Sequence, residues 1–259
     1  MKIQEIRKKG KKYKITLDNG LQINTFDVVI LNNGLLYNKI INDELLKKIN
    51  KENNYYDIYY KVLNLISKKV RSEKEINDFL DKNSVSKIDK NKIIKKLKSI
   101  NLINDKIFAK SYISDKINLS NDGIDKIRND LLKHNIDLNI INEELDKIDN
   151  DLLNKKIEKL INKKLKNSKY VGFKLKYKII NELVNLGYNK EKIIEIYDNM
   201  NIKKGDLIIK EYNKLYTKLS NKYEGKELEY KINMKLYNMG FTKYEIENIQ
   251  ETNHDILID

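Results

Sequence analysis

The sequence predicts a mainly α-helical protein, with about four tandem three-helix repeats in an elongated curved array and a small N-terminal β-hairpin region. Three observations predict this fold. One short apolar pattern returns four times at nearly constant spacing along the 259 residues. The chain contains no proline, the residue that most disrupts a helix interior, although AT-rich coding explains that absence equally well. An Asn-Gly pair lies between two alternating segments near the N-terminus, and this is a strong hairpin signal.

The N-terminal hairpin is predicted from alternation. Residues 13–17 and 21–24 alternate between apolar and polar side chains on either side of Asp18-Asn19-Gly20. Both central residues of such a turn need positive φ, which Asn and Gly adopt readily. Residues 3–6 are a candidate third strand.

Short helices are predicted to follow the hairpin. The apolar residues at 28–31 and 43–49 indicate one helix each, and the polar stretch 50–54 is interpreted as a linker. Residues 1–50 are therefore predicted to form a separate N-terminal region.

The repeated pattern consists of two apolar residues four apart, a small or Asn residue at +8, and an apolar residue at +9. The copies are Ile76, Leu80, Ser84, Val85; Ile127, Leu131, Asn135, Ile136; Ile179, Leu183, Gly187, Tyr188; and Ile232, Leu236, Gly240, Phe241. Residues four apart share a helix face, and Gly or Asn takes the left-handed conformation that ends a helix. Each copy therefore predicts a capped helix, with Ser84 the poorest cap.

Further apolar helices are predicted before and after each copy, so the unit is a helix triplet. The predicted repeats span 55–103, 104–150, 151–204 and 205–251. Ser72 with Glu75, and Thr242 with Glu245, have the spacing of capping boxes. In the first repeat, residues 86–88 are interpreted as a spacer that delays the third helix by about three residues.

Composition excludes several classes of protein. The chain has no cysteine, which excludes disulfides and thiolate metal sites and favours an intracellular protein. Its apolar runs are too short to span a bilayer, and no secretory signal follows the first lysines. We therefore expect a cytoplasmic protein that does not bind membranes.

The net charge of +14 is concentrated in two segments. Residues 155–178 contain ten lysines and one acid, with Tyr170, Phe173 and Tyr177 among them, and residues 2–14 contain six lysines, one arginine and one glutamate. Such clusters indicate a polyanionic partner or an acidic protein surface. The alternative is a solvated surface in a lysine-rich protein.

The candidate partner or DNA contacts are basic residues in the first and third predicted repeats. They are Lys68, Lys69, Arg71, Lys155, Lys156, Lys159, Lys163, Lys164, Lys166, Lys169, Lys174, Lys176 and Lys178. Five of these lysines are expected not to share one helix face, and so to give broad positive coverage: Lys155, Lys156, Lys159, Lys163 and Lys166. The nearby aromatic residues are either core residues or platforms for stacked bases. Arg71 precedes a predicted N-cap, so it makes either a partner contact or a structural ion pair.

No catalytic motif is present in the sequence. It lacks a phosphate-binding Gly-x-x-x-x-Gly-Lys-Ser/Thr loop and any other glycine-rich cradle. His134 and His254 are the only histidines, so a zinc site would depend on carboxylates. Asp105 is interpreted as a residue that complements a helix dipole. We predict a protein that is not an enzyme and that uses no cofactor or metal.

Several segments of the sequence resemble the motifs of one known family. Residues 71–76, Arg-Ser-Glu-Lys-Glu-Ile, resemble that family's Arg-Ser-Glu-x-Glu signature. Residues 102–113 resemble its Ile-x-Asp-x-x-Phe-Ala stretch, and Gly123, Ile127 and Leu131 resemble its Gly-x-x-x-Ile-x-x-x-Leu element. Gly187-Tyr188 stands where the family usually has Gly-Phe, and Asn135 replaces a usual Gly. Together these segments resemble the RecX regulatory proteins, and the N-terminal hairpin resembles the extension of their Gram-positive members.

The resemblance implies a monomeric protein that binds the RecA recombinase filament, lying in its helical groove and contacting neighbouring protomers. It implies inhibition of ATP hydrolysis, strand exchange and filament growth, with weaker binding to single-stranded or double-stranded DNA. The alternative function is a basic helical module that binds nucleic acid without a recombinase partner. An adaptor for an unrelated protein is a third, more remote alternative.

Overall fold

The computed structural model describes residues 1–168, 170–200 and 205–256. Within them, thirteen helices follow a three-stranded antiparallel sheet, which confirms a mainly helical fold with a small N-terminal β region. Contacts divide the chain into two units. The first contains Met1–Ser111 and His134–Asp137, and the second contains Tyr112–Lys133 and Leu138–Asp259.

The N-terminal sheet has the strand order β1-β2-β3, with β1 at Ile3–Lys9, β2 at Lys12–Leu17 and β3 at Gln22–Thr25. Ile6 pairs with Ile15, which pairs with Ile23, so one face of the sheet presents an apolar row to the core. The predicted hairpin and the third strand are both confirmed.

A short helix and a long one follow the sheet: α1 at Asp27–Asn32 and α2 at Asp43–Ile66. The predicted linker at 50–54 is wrong, because these residues lie inside α2. Asn53 is buried, and its Oδ1 accepts a hydrogen bond of 2.8 Å from the Thr25 hydroxyl. Asn53, which is predicted from the sequence to lie in a loop, is thus held within α2 by its contact with Thr25 of the sheet.

Eleven further helices are described after α2. They are α3 Glu73–Lys82, α4 Lys87–Ser99, α5 Asp105–Leu119, α6 Ile124–Lys133, α7 Leu138–Leu145, α8 Asn150–Asn167, α9 Gly172–Asn185, α10 Lys190–Asn199, α11 Gly205–Leu219, α12 Gly225–Met239 and α13 Lys243–Ile256. The helices from α2 onward therefore succeed one another as four sets of three. Separate apolar clusters form around the first, third and fourth sets.

All four predicted cap positions have left-handed backbone conformations. The φ values are 53° at Ser84, 59° at Asn135, 89° at Gly187 and 107° at Gly240. In the first, third and fourth copies, the amide after the cap donates a hydrogen bond of 3.1–3.2 Å to the carbonyl of the patterned leucine. This bond satisfies a carbonyl at the helix end, and it confirms the prediction even at Ser84.

The third helix of every set begins three residues after the cap, at Lys87, Leu138, Lys190 and Lys243. The predicted spacer at 86–88 is therefore wrong. Ser86 is the N-cap of α4, since its hydroxyl accepts a hydrogen bond of 3.1 Å from the Asp89 amide. Both predicted capping boxes are present, at Ser72 with Glu75 and at Thr242 with Glu245.

Within the second unit, the start of one middle helix contacts the end of the next. The Gly123 amide donates to the Leu186 carbonyl at 2.6 Å, and the Asp125 amide donates to the Gly187 carbonyl at 3.0 Å. At the start of α9, the Val171 amide donates to the Met239 carbonyl at 2.8 Å. Amides at a helix start thus satisfy carbonyls at a helix end.

Candidate functional site

The largest group of candidate residues lies on α8. An α-helix turns by about 100° per residue, so Lys155, Lys156, Lys159, Lys163 and Lys166 fall within an arc of about 100°. The prediction that these lysines cannot share one face is wrong. Successive members of the series Lys155, Lys159, Lys163 and Lys166 are four, four and three residues apart, close to one helical turn, so they lie on the same side of α8. Lys156 lies at the edge of that arc. The opposite side of α8 carries Ile157, Leu160 and Ile161, which are buried.

Four of these lysines are exposed to solvent. In the described part of the chain, no acidic side chain forms a salt bridge with Lys155, Lys159, Lys163 or Lys166. Like charges on one face repel one another, so this arrangement is not explained by the stability of α8. A polyanion or an acidic surface would relieve the repulsion on binding.

Lys156 differs from its neighbours on α8. Its Nζ donates a hydrogen bond of 2.6 Å to the Ile117 carbonyl at the end of α5. Burial lowers the pKa of Lys156, and the nearby Asp122 carboxylate only partly opposes that effect. Lys156 therefore holds α5 and α8 together, and its role as a partner contact stays a prediction.

The remaining lysines of the cluster are mostly committed to contacts within the second unit. Lys164 pairs with Glu182 at 2.5 Å, Lys176 pairs with Asp198 at 2.5 Å, and Lys174 donates to the Asn238 carbonyl at 2.7 Å. Lys178 is exposed, with its Nζ 5.0 Å from the centre of the Tyr170 ring. Lys169 lies outside the described residues.

A groove of about 200 Å³ between α8 and α9 brings Lys163 and Lys178 to one opening. Ser168 and the paired Lys164 and Glu182 also line it. We call the four exposed lysines of α8 together with Lys178 the α8–α9 basic surface. This surface is the strongest candidate site in the second unit.

Arg71, Lys68 and Lys69 belong to the first unit. Arg71 Nη1 donates to Glu75 Oε1 at 3.1 Å, and Glu75 also closes the capping box of α3. Of the two alternatives for Arg71, the structural ion pair is present, and the partner contact stays a prediction. Lys68 and Lys69 are exposed in the segment after α2.

The N-terminal basic segment places like charges opposite one another in the sheet. Arg7 pairs with Lys14 across β1 and β2, and Lys9 pairs with Lys12. Arg7 has an ion pair with Glu5 at 2.8 Å, and Lys12 has one with Asp57 at 2.6 Å. These two acids moderate a repulsion that would otherwise destabilise the hairpin.

Sequence reasoning missed a charged network around Asp122 in the second unit. The Asp122 carboxylate accepts a hydrogen bond from Lys116 and pairs with Lys126, each at 2.7 Å. Burial alone would raise the pKa of Asp122, but the Lys116 and then the Lys126 hydrogen bonds outweigh it and lower the pKa to about 2. The same contact raises the pKa of Lys116. The i,i+4 spacing of Asp122 and Lys126 was the only local signal of this network.

His134 has a structural environment. Its Nδ1 lies 3.1 Å from the Ser72 hydroxyl, and its ring centre lies 5.0 Å from that of Phe108. Among the residues that the structure describes, no group of three or more acidic or histidine side chains is placed to hold a metal ion. In the same residues, no helix is both long and apolar enough to cross a bilayer.

Known proteins resemble this chain over most of its length, although no protein-family model matches it. The regulatory protein RecX of Streptococcus agalactiae serotype III (strain NEM316) is 34% identical over 256 residues, covering 96% of this chain and 98% of the relative. The regulatory protein RecX of Oceanobacillus iheyensis is 26% identical over 208 residues, covering 78% of this chain and 76% of the relative.

Solved structures give the same result for the fold. A crystal structure of a regulatory protein RecX aligns with a TM-score of 0.65 at 22% identity, over 76% of this chain and 99% of that one. The crystal structure of RecX from Lactobacillus salivarius aligns with a TM-score of 0.52 at 29% identity, over 56% of this chain and 94% of that one.

Proposed function

This chain belongs to the RecX family of regulatory proteins, and we propose that it binds the RecA recombinase filament and inhibits ATP hydrolysis, strand exchange and filament growth. In this way it modulates recombination and DNA repair. It acts in the cytoplasm as a monomer, and it needs no cofactor or catalytic step of its own. DNA is a second, weaker ligand.

The observation that carries the proposal is the exposed lysine face of α8, a surface of one sign without acidic partners in the described residues. A recombinase filament on DNA is a polyanionic target, so a face of this kind speeds encounter and favours binding. The aligned lysines would meet a row of negative charges rather than a single one.

The proposed mechanism is a shift in the populations of two conformational states of the recombinase filament. A ligand changes a conformational equilibrium only by the difference in its affinity for the two states. A protein built of repeated helical units can present an extended surface that contacts more than one filament protomer. Tighter binding to a filament state that hydrolyses ATP slowly therefore lowers the rate without any chemistry by the regulator.

The test is ATP hydrolysis by the cognate RecA on single-stranded DNA, measured while the wild-type protein is titrated in and DNA is kept in excess. We expect inhibition at substoichiometric protein that added DNA does not relieve. No inhibition at equimolar protein, with the protein shown to be folded by circular dichroism, would contradict the proposal.

Variants connect the test to the surface. Replacing Lys155, Lys159, Lys163 and Lys166 together by Gln removes four charges from α8, and we expect inhibition to weaken at least tenfold. The matched control replaces four lysines that are exposed in the first unit by Gln, and so removes the same charge: Lys47, Lys61, Lys82 and Lys95. Equal weakening in the two variants would mean that only net charge matters.

A second function, a basic helical module that binds nucleic acid without a recombinase partner, is favoured by one observation. Phe173 and Tyr177 are exposed beside the lysines of α9. If inhibition in the ATPase assay disappears when DNA is added, the protein competes for the strand, and this second function replaces the first.

A further inference from the structure

The outer side of β1 is an open edge of the N-terminal sheet. β1 pairs with β2 on its other side, since the strand order is β1-β2-β3. Among the described residues, the main-chain groups of residues 5–9 form no backbone hydrogen bond outside the sheet. These residues are exposed, apart from the half-buried Ile6. Alternate residues of a strand direct their N–H and C=O groups to the same side, so a row of unpaired donors and acceptors faces solvent.

The chain itself already pairs with the first residues of this edge. The Ile3 amide donates a hydrogen bond of 2.7 Å to the Lys39 carbonyl, and the Ile41 amide donates one of 2.8 Å to the Met1 carbonyl. The bridge between these two segments is antiparallel. The outer side of β1 is therefore able to pair with an antiparallel segment, and it is left open from Glu5 onward.

The open part of this edge is strongly basic. Arg7, Lys8 and Lys9 follow one another along β1. Of these three, only Arg7 forms a salt bridge in the part of the chain that the structure describes, with Glu5. Arg7 and Lys9 also lie opposite basic residues of β2, an arrangement that destabilises a sheet. A neighbouring strand that carries negative charge would relieve this repulsion.

We propose that an extended acidic segment of a partner protein adds to this edge as a fourth, antiparallel strand. In strand addition, main-chain hydrogen bonds give affinity and the neighbouring side chains give specificity. Acidic residues opposite Arg7, Lys8 and Lys9 would neutralise the edge. An apolar residue opposite Ile6 would extend the apolar row that Ile6 begins across the sheet. This edge belongs to the first unit, and the inference does not depend on the α8–α9 basic surface.

Two other occupants fit this edge less well. A second copy of β1 would place its own basic side chains against those of the first, and basic edge strands resist self-association in this way. A DNA strand could contact the lysines, but its backbone has hydrogen-bond acceptors and no donors, so the carbonyls of the edge would stay unpaired. An acidic peptide strand supplies both the negative charge and the donors.

The main test measures binding of a fluorescein-labelled peptide, Thr-Glu-Asp-Glu-Val-Thr-Val, to the protein by anisotropy. Two methylated forms of the peptide carry N-methyl groups on one or the other set of alternate peptide nitrogens, and both keep every charge. Only the form whose methylated nitrogens face β1 loses the ladder, so we expect it to bind roughly tenfold or more weakly than the form methylated on the solvent side. Equal affinities of the two forms would show binding by charge alone and overturn the inference.

Variants connect the peptide to β1. Replacing Lys8 and Lys9 by Gln should weaken binding roughly 2- to 30-fold, the range expected for two lost cross-strand charge pairs. The matched control replaces Lys82 and Lys95, which are exposed on α3 and α4, by Gln, and so removes the same charge. The control should bind the peptide as the wild-type protein does. Equal weakening in the two variants, both shown to be folded by circular dichroism, would overturn the inference.

Amide hydrogen exchange locates the bound peptide without any substitution. Saturating peptide should slow the exchange of amides within residues 4–9 and leave those of α8 and α9 unchanged. Slower exchange in α8 and α9 alone would assign the peptide to the α8–α9 basic surface and overturn the inference. An oligothymidylate that slowed exchange in β1 as strongly would also overturn it. No recombinase is present in these assays, so their outcome is distinct from that of the ATPase test.

Discussion

Gly123 at the start of α6 lies against Gly187 at the end of α9 so closely that a side chain on either residue would overlap the other segment's backbone. A Cβ built on Gly187 would lie 2.5 Å from the Lys126 amide nitrogen, and one built on Gly123 would overlap the Gly187 carbonyl. The Gly123 amide uses this proximity to donate its hydrogen bond to Leu186. Glycine is therefore required by contact at both positions, and at Gly187 also by its positive φ of 89°.

Replacing Gly187 by Ala should lower the free energy of unfolding by about 3 kcal/mol, because the new Cβ meets both a left-handed backbone and the start of α6. Urea unfolding followed by circular dichroism measures the change. Gly225→Ala is the control, since Gly225 has a positive φ of 53° but open space around its Cβ. We expect it to lose only about 1 kcal/mol. Equal losses of stability would show that the helix-end contact contributes nothing.

Replacing Ser84 by Gly should stabilise the protein by about 1 kcal/mol. Ser84 has a φ of 53°, a conformation in which a residue with a Cβ is strained and Gly is not. The neighbouring Asn83 has a φ of −94°, so Asn83→Gly should instead lower stability. A lower midpoint of thermal unfolding for Ser84→Gly would contradict this account of the cap.

Asp122 should make stability depend on acid pH. Its pKa is lowered in the folded protein to about 2, whereas a carboxylate in the unfolded chain has a pKa near 3.9. The contribution of Asp122 is therefore fully present above about pH 5 and is lost as the pH falls through 4 towards 2. Asp122→Asn should lower stability at pH 7 and flatten this part of the curve of unfolding free energy against pH. An unchanged slope between pH 5 and 2.5 would exclude the network as its source.

Removing the hydroxyl group of Tyr188 should increase stability. Tyr188 is buried, its hydroxyl has no hydrogen-bond partner among the described residues, and burial raises its pKa to about 12. Tyr188→Phe removes the cost of an unsatisfied buried group, so we expect a gain of about 1 kcal/mol.

A second tyrosine provides the matched comparison for this change. The Tyr112 hydroxyl donates to Asp130 at 3.1 Å, so Tyr112→Phe should lower stability by about 1 kcal/mol. Chemical denaturation of the two variants under one set of conditions gives both values. Lower stability in both would mean that the Tyr188 hydroxyl makes a favourable contact.

The periodic features of this protein could be predicted from sequence, because they depend on neighbours along the chain. The caps at Ser84 and Gly240 and the capping box of Ser72 follow from residues within one or two turns. The contact of Gly123 with Gly187 joins residues far apart in sequence, and no local signal marked it. The linker prediction failed for the same reason, since Asn53 is held in α2 by Thr25.

The candidate site was predicted in composition but not in geometry. The sequence identified the lysines of α8 and α9, but their partners come from other helices. Lys156 is directed to a carbonyl of α5 and Lys176 to Asp198 of α10. The common face of the α8 lysines, by contrast, follows from their spacing along the helix, and the prediction of broad coverage misjudged that periodicity.

The backbone hydrogen bonds between helix ends affect how a protein of this kind can gain or lose a whole helix triplet. The contact between the start of α6 and the end of α9 is made by main-chain amides and carbonyls together with glycine, and so is the contact between the start of α9 and the end of α12. Both contacts depend little on the identity of larger side chains. Duplication of one helix triplet would supply at once both the helix start and the helix end that form this contact. Relatives that differ by a whole triplet can therefore arise without any new interface having to evolve first.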